Sequence, residues 1–184
     1  LPQVQKVMPN DTFYFSIVRD PGTLGESAFS YFRAAAPAFR ASPSLDAFLA
    51  SPSRFFRPGV RGNHYARNLQ WFDFGLPEPS APAEIPAILE RLERVFPLVL
   101  LAENFDESLV LLRAELCWPR GSVDSFAHNA RAAPPRPSRW RARRLRAWNS
   151  LDWELYSHLN RSFWRKAERF GLARLRDEVA RLRK

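Results

Sequence analysis

Apolar residues fall along the chain in two kinds of run. Short unbroken runs rich in aromatic and β-branched residues read as buried strands, and stretches with apolar positions three and four apart read as amphipathic helices. Residues 13–18, Phe-Tyr-Phe-Ser-Ile-Val, are of the first kind, bounded by Asn10-Asp11 and Pro21. The run leads into Arg19-Asp20-Pro21 and a loop, Gly22-Thr23-Leu24-Gly25, with a helix expected from about Glu26 through Ser27, Phe29, Tyr31 and Phe32. Strand, glycine-containing turn and helix together can present anion-binding groups at a helix N-terminus. Ser42-Pro43 predicts another helix start, with Leu45, Phe48 and Leu49 as its apolar face. Residues 57–62 read as a loop and His64 to Phe74 as an aromatic-rich, partly helical stretch. Residues 76–83 hold three prolines and predict an exposed loop. Ile85, Ile88, Leu89, Leu92 and Val95 mark an amphipathic helix closed by Pro97.

Leu98-Val-Leu-Leu-Ala102 predicts a second buried strand. Asp106 is the expected cap of a following helix through Leu109, Leu112 and Leu116. Residues 131–139 read as a second exposed loop, and from about Ala142 the pattern is helical to the end. Leu151, Leu155, Leu159 and Phe163 recur at i+4, and Leu172, Leu175, Val179 and Leu182 follow Gly171. There is no internal repeat. This order predicts an α/β fold, a parallel sheet flanked by helices with a helical C-terminal third, and 184 residues suit a single domain.

Composition narrows the class. The chain is 46% hydrophobic and 26% charged with mean hydropathy −0.35, values of a globular protein. No run of about 18 apolar residues exists to span a bilayer. The single cysteine, Cys117, excludes an intrachain disulfide and a Cys-based zinc cage, and three histidines without a His-x-x-x-His pair predict no metal site. The net charge of +9 is uneven: residues 1–130 carry −2 and residues 131–184 carry +11. Such a basic end suits a membrane surface or a polyanion such as nucleic acid or heparin, the latter through Arg136 to Arg146 with Trp140 interleaved, with solvated helix faces or an anionic small substrate as the plainer readings.

The most specific local feature is Ile17-Val18-Arg19-Asp20-Pro21 with Ser27 eight residues after Arg19. Arg19 is expected at the C-terminal end of a strand and Ser27 on the first turn of the next helix. A guanidinium, a hydroxyl and helix N–H groups suit a phosphate, while a salt-bridged turn is the plain alternative.

This strand–Arg-Asp-Pro–Ser arrangement resembles the motif with which Golgi carbohydrate sulfotransferases hold the 3′-phosphate of 3′-phosphoadenosine 5′-phosphosulfate. The resemblance extends to Glu26–Phe32, Asn63–Gly75, Phe105–Leu112 and Ala147–Trp153 through Asn160–Trp164, which are similar to blocks of the galactose-3-O-sulfotransferase family, galactosylceramide sulfotransferase included. It implies sulfuryl transfer from that donor to the 3-hydroxyl of a terminal β-galactose on a glycolipid or glycoprotein glycan, with no metal. It implies Arg19 and Ser27 as ligands of the donor's 3′-phosphate, and a Golgi membrane protein with a lumenal catalytic domain behind a signal-anchor. The family's Lys-Thr loop, which grips the 5′-phosphosulfate, has no counterpart after Leu1, so a partial catalytic domain, inactive alone, is expected. Inactivity, polyanion binding and a structural glycoprotein role are the alternatives to catalysis, and no nucleic-acid partner is expected.

His64 is a candidate general base in a Gly- and Arg-rich loop, or a hydrogen-bonded loop residue. Arg67, Trp71 and Glu103 are candidate acceptor contacts, with core packing the alternative for Trp71. Trp148, Trp153 and Trp164 are expected in the core, and His128 and His158 in structural roles. Asn10-Asp11-Thr12 and Asn160-Arg161-Ser162 are N-glycosylation sequons, the second needing a helix end or exposed face.

Overall fold

The computed structural model describes residues 2–123 and 138–183. In chain order the elements are α1 (Pro2–Gln5), β1 (Phe15–Val18), α2 (Pro21–Tyr31), α3 (Pro37–Arg40), α4 (Leu45–Ala50), α5 (Pro52–Phe55), α6 (Leu69–Asp73), α7 (Ile85–Val95), β2 (Leu98–Leu101), α8 (Phe105–Glu115), α9 (Arg139–Trp148), α10 (Ser150–Phe170) and α11 (Leu172–Leu182). Single 3-10 turns cover Asn63–Ala66, Pro82–Glu84 and Ala102–Asn104. The chain is mixed α/β with a small parallel sheet, as the pattern predicts. Contacts group it into two compact units, one holding Pro2–Arg19 with 86–123 and 157–183, the other Asp20–Ile85 with 138–156.

The sheet unit is organised on β1 and β2, which pair in parallel with Phe15 opposite Leu98 and Val18 opposite Leu101. All four residues of β2 are buried, as a continuous Leu-Val-Leu-Leu run requires. β1 departs from the expected buried strand. It is one residue pair shorter than the 13–18 run, and Phe15 and Ile17 are 48% and 45% exposed while Val18 is buried. Successive side chains point to opposite faces, so an apolar run looks continuous in sequence even where only one face is covered. α8 packs on β2 and on α11. Its buried Ser108 hydroxyl donates to the Leu101 carbonyl at 3.1 Å and accepts from the Leu101 N–H at 2.9 Å, clasping the strand end. Asp106 is not the cap. Asn104 takes that position, and Asp106 sits in the first turn with Arg183 Nε at 2.6 Å. Glu93 of α7 accepts from His158, Ser162 and Arg165 of α10, which confirms a structural partner for His158.

The helical unit has its core in Phe29, Phe39, Phe48, Leu49, Leu69 and Leu145. α2 starts at Pro21, five residues before its expected start, because Asp20-Pro21 is a cap followed by a proline at the first helical position. The two glycines expected to form a loop lie inside α2, where α9 comes close. A Cβ on Gly25 would meet Leu145 Cδ2 at 2.3 Å, and one on Gly22 would meet Ala142 Cβ at 3.2 Å. α4 is capped by Ser44, which accepts from the Ala47 N–H at 3.1 Å; Ser42, the expected cap, is buried and donates to the Ser44 carbonyl. α9 starts at Arg139 with Ser138 as its cap, so the expected loop 131–139 ends earlier; residues 131–137 and His128 lie outside the described residues. The tryptophans also divide. Trp148 and Trp164 are half-buried, whereas Trp153 is 37% exposed and carries the Arg146 guanidinium 4.8 Å from its ring centre.

Candidate functional site

The sequence candidates fall in both units. Arg19, half-buried, follows β1 in the sheet unit, and Ser27, half-buried, lies in α2 of the helical unit. Ser27 is on the second turn of α2 and not the first, since the helix begins at Pro21. The N-terminal N–H groups of α2 also differ from expectation. Asp20 accepts from the Gly22 N–H at 2.7 Å and receives both Nε and Nη2 of Arg146, so the acid of Arg-Asp-Pro closes the helix start itself. Its two oxygens are matched by the guanidinium fork, the geometry that makes Arg and carboxylate a strong pair. Glu103 is exposed in the 3-10 turn after β2.

Three other candidates come together. His64, Arg67 and Trp71 line one open cavity of about 490 Å³ in the helical unit. That volume lies within the range of small-molecule sites, roughly 300–1,000 Å³. The remaining wall includes Phe56, Val60, Arg61, Asn68, Phe72 and Glu78.

Each wall is held by a polar clasp. Asn63 is buried; its Oδ1 accepts from the Ala38 N–H and its Nδ2 donates to the Arg57 carbonyl, both at 2.9 Å, pinning the 57–62 loop. Gly62 adopts φ +90°, and a Cβ there would lie 2.5 Å from the Ala35 carbonyl oxygen, so the turn into His64 needs glycine. Asn68 sits at φ 49° and exchanges hydrogen bonds with the Ala147–Trp153 segment. Its N–H donates to Asn149 Oδ1 at 2.8 Å, and its Oδ1 accepts from the Leu151 N–H at 3.2 Å. Asp152, 1% exposed, accepts from the N–H of Trp71 at 2.8 Å and of Gln70 at 3.3 Å. Burial pushes the Asp152 carboxyl up to about 6, opposed by those backbone donors. The Asn63–Gly75 and Ala147–Trp153 blocks are therefore one constructed wall.

Within the cavity the candidates take different parts. His64 is half-buried, its ring stacked on Phe72 at 4.3 Å and inclined to Tyr65 at 4.0 Å. Partial desolvation pushes the Asp73 carboxyl up, with His64 opposing that shift. Arg67 is exposed and rests on aromatic faces, 4.8 Å from the Trp148 ring centre and 5.7 Å from that of Phe56. Trp71 is 3% exposed and its indole N–H donates to the Pro77 carbonyl at 3.1 Å, so core packing is its role. Phe72, 56% exposed, and Arg61 are cavity residues that sequence reasoning passed over; nothing in the aromatic run separates an exposed ring from a buried one.

The arginines of α9 have identifiable work. Arg141 grips Asp46 with two bonds at 2.6 and 2.7 Å, Arg144 donates to the Leu49 carbonyl at 3.0 and 2.7 Å, and Arg146 holds Asp20. Much of the basic stretch thus binds the helical unit together. Among the described residues no three His, Cys, Asp or Glu side chains gather as a metal site needs.

Comparison with known proteins decides the family. The model for galactose-3-O-sulfotransferase matches residues 1–184. The chain belongs to the galactose-3-O-sulfotransferase family. It is 52% identical to human galactose-3-O-sulfotransferase 2 over all of the chain and 48% of that protein. It is 41% identical to human galactose-3-O-sulfotransferase 4 over all of the chain and 53% of that protein. To human galactosylceramide sulfotransferase it is 44% identical, over 98% of the chain and 44% of that protein. The chain thus spans about half the length of these relatives. No solved structure matches it.

Proposed function

We propose that this chain contributes to sulfuryl transfer from 3′-phosphoadenosine 5′-phosphosulfate to the 3-hydroxyl of a terminal β-galactose. The observation that carries this is the family match along the whole chain. The donor, when bound, supplies an activated sulfur whose bond to the 5′-phosphate oxygen breaks as the galactose oxygen bonds to it. The chemistry of Arg19 and Ser27, a guanidinium and a hydroxyl, fits the donor's 3′-phosphate. His64 is the base, taking the hydroxyl proton on a ring nitrogen. Arg67 and the cavity wall orient the galactose; positioning of this kind supplies much of a transfer reaction's acceleration.

The acceptors are galactose-terminated glycans or galactosylceramide, and the setting is the Golgi lumen with a membrane anchor. No described helix is long and apolar enough to cross a membrane.

Calorimetric titration of adenosine 3′,5′-bisphosphate tests the donor side. Saturable binding by the wild-type chain, weakened by about tenfold or more in Arg19→Ala and several-fold in Ser27→Ala, is expected, since a charge-assisted contact contributes roughly 1.5–3 kcal/mol. Equal binding by all three folded proteins would remove both residues from the phosphate site.

A further inference from the structure

We propose that Phe72 is the platform on which the sugar ring stacks in the His64–Arg67 cavity, and that its face sets the preference for galactose over glucose; this rests on the reading of that cavity as the acceptor site. The aromatic that sequence favours for stacking is Trp71, but the indole is 3% exposed and its N–H is spent on the Pro77 carbonyl. A ring with no open face cannot receive a ligand. Phe72, its neighbour, is 56% exposed and lines the same cavity. One of its faces is covered by His64, 4.3 Å away and inclined by only 22°. Exposure of more than half the residue therefore belongs to the opposite face and the ring edge. An exposed phenyl face beside a histidine, two arginines, Asn68 and Glu78 is the composition of a sugar site: one apolar surface for the C–H side of the ring and several polar groups for its hydroxyls.

The chemistry of the ligand follows. In β-galactose the axial 4-hydroxyl leaves the hydrogens on C3, C4 and C5 on one face, a continuous apolar patch. In β-glucose the equatorial 4-hydroxyl breaks that patch. A flat apolar ring therefore favours galactose without a single hydrogen bond. Tyr65 and Phe72 flank the imidazole, so the base and the platform form one rigid aromatic group.

Saturation-transfer difference NMR on the folded chain, with methyl β-galactoside and methyl β-glucoside, tests this. The wild type is expected to bind the galactoside more tightly, with the largest saturation at H3, H4 and H5. Phe72→Ala is expected to lose about tenfold in galactoside affinity and most of the preference, while Phe72→Trp retains both. Phe72→Leu keeps apolar bulk without a ring face and is expected to behave like Phe72→Ala, and near-UV circular dichroism verifies that each variant is folded. Galactoside binding and preference unchanged in Phe72→Ala and Phe72→Leu, but weakened in His64→Ala, would overturn the platform and leave the cavity reading standing. No galactoside binding by the wild type, or binding indifferent to Phe72, His64 and Arg67 alike, would overturn both.

Discussion

At the scale of single residues, the cavity depends on side chains that do not line it. Asp152 is the plainest case. Its ordinary value is 3.8 and burial raises it to about 6 in the folded chain, so the folded state holds a proton that the unfolded state releases between those values. Ionising it costs the folded state, a penalty of about 3 kcal/mol for a shift of about two units. The penalty is absent below about pH 4, grows as pH rises through the folded value, and is constant above it. The expected outcome in urea unfolding is that wild type loses stability relative to Asp152→Asn between pH 4 and pH 6, with the difference flat from pH 7 upward. Parallel curves across that range would show that the carboxyl does not titrate there. Asp20 teaches a related lesson. In sequence it belongs to a phosphate motif, and in the structure it caps α2 and holds Arg146. Residue type and spacing mark a position as important without saying which of two jobs it does.

At the scale of elements, the sequence read the apolar faces well and the termini poorly. Leu89 and Leu92, or Leu155, Leu159 and Phe163, are buried as their spacing predicts, because burial of one face is what makes those helices stable. The start of α2 was hidden by glycines that look like a turn. They are there for close packing, which no local pattern expresses. Gly25→Ala is expected to destabilise the chain by about 1–3 kcal/mol through overpacking against Leu145, offset by up to about 1 kcal/mol of helix propensity. Adding Leu145→Ala to Gly25→Ala should then cost less than the two single changes combined, measurable as a thermodynamic cycle in denaturant. Additive effects would mean the helices separate freely at that point.

At the scale of the whole molecule, the two sequons part company. Asn10 is exposed outside regular structure, whereas Asn160 is half-buried within α10 and the Ser162 hydroxyl donates to Glu93. Expressed through a secretory pathway, the chain is expected to carry a glycan at Asn10 and none at Asn160, so Asn10→Gln alone should remove the mass shift seen with glycosidase. A shift that survives Asn10→Gln and vanishes in Asn160→Gln would reverse the assignment.

The sequence by itself determined the class of fold, the two parallel strands, the buried helix faces and the family, since each is written in local periodicity or in contiguous blocks of residues. It also brought His64 and Arg67 to notice through their neighbours in the chain. Only the tertiary structure decided that His64, Arg67 and Phe72 line one cavity, that Trp71 is closed and Phe72 open, and that Asn149 and Asp152 hold the wall from about 80 residues away. Exposure depends on which elements pack over a side chain, and a buried carboxylate finds its donors through the fold. Neither is a property of sequence neighbours, so neither could be read from them.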